Sequence, residues 1–234
     1  SIPHYQKVMK AAPRQFPLAH FNLGEVYRVK GECTPAVLYY QAYLQIGEDE
    51  GALGDAKSAI KECTAGKKTA KLSIEVDPKE TSTVKIGGAI FSEDGVVEPF
   101  ELLPGEYEID VSAIDHLPRA KTIELKAEQA EKVELELEEK IYYGELEVSV
   151  DQDDATVSIK PLELDAADSK RMPDDLAFQV PSPMEKAREL PTGKYSIEVN
   201  KDGFDRWIRY VRVRRDDTTN VDVGMSESLP SEIR

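Results

Sequence analysis

The sequence is poor in the residues from which catalytic and metal sites are most often built. It has 3 histidines and 2 cysteines in 234 residues. None of His4, His20 and His116 has a second metal ligand three or four residues away. Phosphate-binding glycine loops and a Gly-x-Ser-x-Gly nucleophile motif are also absent. We therefore expect no enzyme, no metal site and no cofactor.

Long apolar runs and excess positive charge are lacking too. No run of eighteen apolar residues occurs, so we expect membrane attachment only through segments outside this sequence. Residue 1 falls inside a helical pattern, and the polar tail ends without a stop signal, so both ends look cut. The net charge is −15, and all of this excess lies in residues 66–234. Because an acidic surface repels phosphate backbones, nucleic acid is not an expected partner.

One acidic cluster invites a metal-binding interpretation. Asp151, Asp153 and Asp154 lie close together in the sequence, but the glycine and closing glutamate of a calcium loop are missing. A solvated turn is the simpler interpretation, and we favour it over a calcium site.

The first 65 residues have the apolar spacing of amphipathic helices. One stretch combines Leu-Gly, a tyrosine three residues later, and a small residue and an aromatic in the next helix: Phe21-Asn22-Leu23-Gly24-Glu25-Val26-Tyr27, then Ala36 and Tyr40. This pattern resembles a tetratricopeptide repeat, whose small residues let two antiparallel helices approach each other. The resemblance implies helical hairpins over residues 1–65, a capping helix that begins after Asp49, and a surface for protein partners.

The two cysteines lie at matched positions of two predicted helices. Cys33 begins a helix expected over about 33–46, and Cys63 ends one expected over about 50–63. Two antiparallel helices of equal length bring these residues level at one end, which is compatible with a disulfide. The alternative is that both are small buried apolar residues. We favour the disulfide, and with it an extracytoplasmic location.

From residue 71 onward the apolar period becomes two, and the pattern occurs twice. Alternating strands near residues 107–111, 123–125 and 133–135 reappear 88 residues later, whereas the strand near residues 84–86 reappears after only 73. The constant offset indicates a duplicated β domain. The single change of offset predicts an insertion of about fifteen residues in the second copy, within residues 161–188.

Both copies carry the same kind of turn before a central strand. The turns are Leu103-Pro104-Gly105-Glu106-Tyr107 and Leu190-Pro191-Thr192-Gly193-Lys194-Tyr195, with Val84-Lys85-Ile86-Gly87-Gly88 and Gly203-Phe204 as further matches. They resemble the PEGA domain, a small β-sandwich of bacterial proteins, although transthyretin-like and carboxypeptidase-regulatory-like domains have similar turns. Copy one departs from the pattern at Gly87 and at His116-Leu117. The resemblance implies β-sandwiches over 66–141 and 142–226, a tail over 227–234, and a place in the bacterial envelope.

One predicted strand of the second copy is basic and aromatic inside an acidic domain. If Val211 and Val213 face the core, its alternate residues form an outer face that could bind a partner. The candidate residues are Arg206, Trp207, Ile208, Tyr210, Arg212 and Arg214. The competing interpretation is that these arginines pair with the acidic insertion.

Together these features predict a multidomain α + β chain, with tetratricopeptide-like antiparallel helical hairpins followed by two small antiparallel β-sandwich domains. We expect a non-enzymatic scaffold or binding protein of the bacterial cell envelope, with other proteins as partners. One alternative is a structural stalk that presents the helices from a membrane anchor outside this chain. Another is a module that binds envelope polysaccharide, which rests on analogy alone.

Overall fold

The computed structural model describes residues 2, 3, 5, 7, 17–166, 171–182 and 186–228. The chain divides into two compact units, Ser1–Leu137 and Glu138–Arg234. Strands predominate over helices in the described ranges and form four sheets. Within the same ranges, no helix is both long enough and apolar enough to cross a membrane.

Three complete helices open the described part of the first unit. They are α1 (Leu18–Val29), α2 (Cys33–Ile46) and α3 (Glu50–Thr64), so the predicted bounds of the second and third helices are confirmed. Gly31 separates α1 from α2 with a φ of 77°, a left-handed conformation that suits glycine. Asp49 caps α3 by accepting a hydrogen bond from the Ala52 N–H at 2.8 Å.

The contact between α1 and α2 depends on a glycine. A Cβ at Gly24 would lie 2.7 Å from the ring of Tyr40, so only a residue without a side chain allows this approach. Phe21 fills the neighbouring space, with its ring centroid 5.7 Å from that of Tyr40 and 5.6 Å from that of Tyr43. The Leu-Gly motif therefore sets the spacing of the hairpin.

Seven strands follow in the first unit. They are β1 (Ala70–Asp77), β2 (Ser82–Ile86), β3 (Ala89–Ser92), β4 (Val96–Leu102), β5 (Gly105–Ala113), β6 (Arg119–Leu125) and β7 (Ala130–Glu136). They form a three-stranded sheet of order β4-β1-β7 and a four-stranded sheet of order β3-β2-β5-β6. Alternating residues of both sheets enter one core.

The second unit repeats this arrangement strand for strand. Its strands are β8 (Tyr143–Val150), β9 (Thr156–Leu164), β10 (Phe178–Pro181), β11 (Arg188–Pro191), β12 (Gly193–Asn200), β13 (Trp207–Val213) and β14 (Thr218–Val223). The sheet orders are β11-β8-β14 and β10-β9-β12-β13. The two units therefore share one strand topology, in keeping with the repeat seen in the sequence. The longer connection of the second copy lies between β9 and β10, within the predicted range.

One strand pair in each unit departs from the expected antiparallel arrangement. β1 pairs with β7 in parallel, and β8 pairs with β14 in parallel. The prediction of wholly antiparallel sandwiches is therefore wrong for these pairs. The first and last strands of a unit are joined through the other sheet, and such a long crossover allows the last strand to return in the same direction.

The turn shared by the two copies is fixed by the same hydrogen bond. The hydroxyl of Tyr107 donates to the Leu103 carbonyl oxygen at 2.7 Å, and that of Tyr195 donates to the Pro191 carbonyl oxygen at 2.8 Å. Both tyrosines are buried, so this bond satisfies a hydroxyl that would otherwise be costly to bury. In both copies the hydroxyl thus bonds the carbonyl oxygen four residues before its tyrosine, which holds the turn against the strand that follows.

The helices share the core of the first β region, a packing that the sequence did not reveal. The backbone N–H of Ile90 in β3 donates to Nε2 of His20 at 3.1 Å. The side-chain amide of Gln41 in α2 donates to the Glu101 carbonyl oxygen in β4 at 2.8 Å. Buried side chains of the helices and strands form one continuous cluster. The helices and the first β region therefore pack together as one compact unit.

Candidate functional site: an exposed face on strand β13

Strand β13 forms one edge of the four-stranded sheet in the second unit. Its alternation directs Val213 into the core, where it is fully buried, whereas Ile208 and Tyr210 are 45% and 71% exposed. Arg212 lies on the same side as these two residues and is also exposed. We call Ile208, Tyr210 and Arg212 the β13 face.

The structure does not bring all six predicted contact residues onto one surface. Trp207 is half-buried and packs against the core of the unit, on the opposite side of the strand from Ile208. Arg206 precedes the strand and Arg214 follows it. Three of the six candidates therefore make up the face, and the other three flank it or lie behind it.

Neighbouring strand β12 extends the β13 face with residues that the sequence could not assign to it. In the register of the two strands, Lys194 lies opposite Arg212, Ser196 opposite Tyr210, and Glu198 opposite Ile208. The strand patterns show alternation, but only the pairing register shows which residues become neighbours.

Ion pairs hold several of the charged groups on this side of the sheet. Arg212 Nη2 binds Oδ1 of Asp165, which lies in the connection after β9, and Arg206 binds Glu198. The hydrogen bond from Arg206 lowers the pKa of the Glu198 carboxyl below its usual value. Arg212 therefore pairs with a residue of the acidic insertion, as the competing interpretation of the sequence predicts. Exposed pairs of this kind contribute little to stability because the solvent screens them.

The remaining arginines of this stretch differ in their surroundings. The guanidinium carbon of Arg215 lies 4.0 Å from the ring centroid of Tyr142, which is cation–π distance. Arg209 and Arg214 have no ion pair among the described residues. Arg209 lies on the same side of the strand as Trp207, so it is not part of the β13 face.

The equivalent strand of the first unit carries a different surface. By register, β5 and β6 place Glu106 opposite Glu124, Glu108 opposite Thr122, and Asp110 opposite Ala120. Copy one thus has small or acidic residues where copy two has Ile208, Tyr210 and Arg212. Because the two sheets have the same strand order, the difference lies in the side chains rather than in the fold.

The other candidate sites of the sequence are not assembled into metal centres. Among the described residues, no group of three or more potential ligands could hold a metal ion. His116 is half-buried and its Nδ1 lies 2.7 Å from the Ile114 carbonyl oxygen, whereas His20 is buried. The carboxylate of Asp151 accepts a hydrogen bond from the Met225 N–H at 3.0 Å. His4 lies outside the described residues.

A disulfide joins Cys33 at the start of α2 to Cys63 near the end of α3, with a Cα–Cα distance of 5.3 Å. These are the two cysteines whose matched helix positions predict the bond. The bond links the two helices at one end. It joins residues 30 positions apart, and closing a loop of this size restricts the unfolded chain.

The chain thus has a helical hairpin and a duplicated unit of two β-sheets. Residues 182–228, which span β11 to β14, match the model of the PEGA domain. The matched region contains the β13 face. No curated protein matches this chain.

Several solved structures are similar to this chain at low identity. The Bacillus anthracis TIE protein is 15% identical over 69% of this chain and 34% of its own, with a TM-score of 0.37. GBS52, the minor pilin of Streptococcus agalactiae, is 13% identical over 61% and 70%, with a TM-score of 0.29. Shaft pilin SpaA of Lactobacillus rhamnosus GG is 9% identical over 70% and 99%, with a TM-score of 0.21. These TM-scores support no functional inference.

Proposed function

We propose that this chain is a non-enzymatic scaffold or binding protein of the bacterial cell envelope, and that the β13 face is its contact surface. The observation that carries the proposal is the exposure of Ile208 and Tyr210 on a sheet whose duplicate has Ala120 and Thr122 at the same register positions. Tyrosine and arginine are enriched at protein interfaces. Contiguous exposed apolar side chains mark binding surfaces more often than singly scattered ones do.

The proposed location rests on two features. The PEGA match in the second unit agrees with the envelope setting that the resemblance implies. The Cys33–Cys63 disulfide is the second feature, because disulfides persist in oxidising compartments and are rare in the cytoplasm. Both support an extracytoplasmic protein.

The finer assignments belong to the same proposal. The close packing of Gly24 on Tyr40 supports a tetratricopeptide-like hairpin within residues 1–65. The identical strand orders support a second PEGA-like domain in residues 66–141, beside the one in 142–226, with 227–234 as a tail. In this arrangement the helices supply a second surface for protein partners.

Two other functions remain as alternatives. A stalk that presents the helices from a membrane anchor outside this chain needs no contact surface, so it leaves the β13 face unexplained. A polysaccharide-binding module would use Tyr210 as a platform for a sugar ring and Arg212 as a hydrogen-bond donor. The protein-binding role is favoured because the aliphatic Ile208 adds little to sugar recognition but is common at protein contacts.

Retention by immobilised protein tests the function directly. Wild-type chain, the Tyr210→Ser/Arg212→Glu variant and an Arg209→Glu control are immobilised and exposed to solubilised envelope extract and, separately, to purified peptidoglycan. We expect wild type and the control to retain the same envelope proteins. The double variant should retain at least tenfold less of each of them. Equal retention by all three chains would remove the β13 face as the contact surface, and retention of peptidoglycan alone would favour the polysaccharide module.

A further inference from the structure

Two ion pairs lie side by side at the end of the β13 face. Arg212 binds Asp165 and Lys194 binds Glu163, and the register of β12 and β13 places Lys194 directly opposite Arg212. The hydrogen bond from Lys194, and less strongly the charge of Arg212, lowers the pKa of the Glu163 carboxyl below its usual value. The four groups therefore form one electrostatic cluster, which we call the ion-pair cluster.

The main chain holds the two carboxylates of the ion-pair cluster in place. Glu163 lies in β9, opposite Lys194 in the register of β9 and β12. The backbone N–H of Asp165 donates to the Thr192 carbonyl oxygen at 3.0 Å, in the turn that precedes β12. Both carboxylates are thus positioned by backbone pairing as well as by their ion pairs, so they stay beside the cations when a cation changes its partner.

The first unit has no counterpart of the two cations. Glu106 and Glu124 lie opposite each other in the register of β5 and β6, at the positions that Lys194 and Arg212 occupy in the second unit. The shared fold therefore does not require a cation at either position. Lys194 and Arg212 belong to what distinguishes the second unit from the first.

The first unit also lacks the segment that carries the two carboxylates. β2 ends at Ile86 and β3 follows after a short turn. β9 continues beyond Ile159, which pairs with β12 as Ile86 pairs with β5, and this extension supplies Glu163 and then Asp165. Cations and carboxylates are present together in one copy and absent together from the other, which ties the role of the carboxylates to the cations.

The ion-pair cluster is open to an incoming partner. Its four charged side chains are between 40% and 65% exposed, and Tyr210, next to Arg212 on the same side of the strand, is 71% exposed. Exposed pairs stabilise a fold little, but they set the charge that a partner meets. With both carboxylates charged the cluster is neutral, and without them it carries two positive charges.

We propose that Glu163 and Asp165 are an internal competitor for the β13 face, and that the partner of this face carries acidic groups that replace them on Lys194 and Arg212. The proposal rests on the proposed function, because it assigns the chemistry of the partner and the regulation of the same contact surface. Partners without acidic groups leave the competitor in place and gain nothing from the cations.

The spacing of the β13 face indicates which segment fits. Along one side of a strand, Ile208, Tyr210 and Arg212 lie about 7 Å apart. An extended protein segment has the same spacing, so an acidic residue opposite Arg212 places its next two alternate residues opposite Tyr210 and Ile208. The matching segment therefore has an acidic residue followed by two alternate apolar residues, and a second acidic residue beside the first reaches Lys194.

Neutralising the competitor tests the proposal. Fluorescence anisotropy follows the binding of a labelled peptide, Glu-Glu-Ser-Leu-Ser-Leu, to the full chain at about 0.05 M and about 0.5 M salt. We expect Glu163→Gln/Asp165→Asn to bind this peptide about fivefold more tightly than wild type at the lower salt concentration. At the higher concentration we expect less than about a twofold difference, because salt screens the positive charge that the substitutions leave unpaired.

Matched controls separate this effect from a change in net charge. Glu147→Gln/Asp222→Asn removes the same charge from exposed residues of the other sheet in the second unit, and we expect it to bind like wild type. Adding Lys194→Gln/Arg212→Gln to the competitor variant should abolish the gain, because the gain depends on the cations. The uncharged peptide Gln-Gln-Ser-Leu-Ser-Leu should not distinguish the competitor variant from wild type.

The outcomes decide between an internal competitor and a purely structural contact. The proposal is overturned if neither wild type nor Glu163→Gln/Asp165→Asn binds the acidic peptide, if both bind it equally at the lower salt concentration, or if the gain survives the loss of both cations. Urea transitions like that of wild type verify that the variants are folded. The envelope retention experiment with Tyr210→Ser/Arg212→Glu decides the proposed function separately.

Discussion

His20 is the residue whose chemistry is most altered by the fold. It is fully buried, and Nε2 must be unprotonated to accept the hydrogen bond from the Ile90 N–H. Burial lowers its pKa from the ordinary 6.5 of histidine to about 4. The ring of Tyr39 lies beside it, with a centroid distance of 6.4 Å, and it supplies no compensating charge.

This burial predicts a pH-dependent stability of the first unit. The pKa of His20 is lower in the folded state than in the unfolded state. The stability that depends on its neutral form is therefore fully present above pH 6.5. It is lost as the pH falls from about 6.5 to about 4. At pH 5 the loss amounts to about 2 kcal/mol. Urea unfolding followed at 222 nm, at pH 7.5 and pH 5, measures it.

A His20→Gln variant is the control for this prediction. Its side-chain oxygen can accept from Ile90 N–H but does not titrate. The variant should lose about 2 kcal/mol less than wild type between the two pH values, although carboxylates titrate in both proteins. An identical loss in both would mean that His20 does not control the acid sensitivity.

Residue-scale reasoning from sequence succeeds where the determinants are local. The cap at Asp49, the break at Gly31 and the alternation around Val213 are read from neighbours in the chain, and the structure agrees with each. The bond between His20 and Ile90 joins residues 70 positions apart. Only the three-dimensional packing of α1 on β3 creates it, so no spacing in the sequence predicts it.

At the scale of elements, the two copies differ where α2 covers strands β3 and β4 of the first unit. In the first unit, Phe91 and Phe100 are buried near α2, with ring centroids 4.7 Å apart. In the second unit, β10 and β11 instead bring the Arg188 guanidinium carbon 3.6 Å from the ring centroid of Phe178, and both residues are half-buried. A buried aromatic pair suits a covered site, whereas a cation–π pair tolerates water.

The parallel strand pairs show the limit of pattern reading at this scale. Alternating apolar residues in β7 and β14 predict strands and their buried sides, and these predictions hold. Strand direction depends on where the chain re-enters the sheet after a long crossover, which alternation does not record. The same limit applies to the β13 face, whose neighbours on β12 depend on register.

The disulfide is an element-scale determinant of the helical hairpin. Closing a loop of about 30 residues contributes roughly 3–4 kcal/mol by restricting the unfolded chain. We expect reduction, or a Cys33→Ser/Cys63→Ser variant, to lower the unfolding free energy of the first unit by this amount. Urea unfolding at 222 nm with and without reductant measures the difference.

Thiol titration supplies the control for the disulfide. The folded protein purified without reductant should show no reactive thiol, and the double serine variant should unfold identically with and without reductant. Two thiols titrated in the untreated protein would contradict the bond and remove one support for an extracytoplasmic location.

At the scale of the whole molecule, the two units have separate cores with different requirements. The core of the first unit draws buried residues from helices and strands alike, including Tyr40 and Leu38 of α2. The core of the second unit is built from its own strands and the segments that join them. The helices therefore need the first β region to bury their apolar side, whereas the second unit has what it needs within residues 138–234.

The second unit should consequently fold when produced alone. A fragment of residues 138–234 places β8 in the centre of its three-stranded sheet, where it pairs with both β11 and β14. We expect a cooperative urea transition and a near-ultraviolet signal from Trp207, which packs against this core. A fragment that begins at residue 152 lacks β8 and should stay unfolded, because β11 and β14 then have no strand between them. A 138–234 fragment without a cooperative transition would show that the second core depends on the first unit.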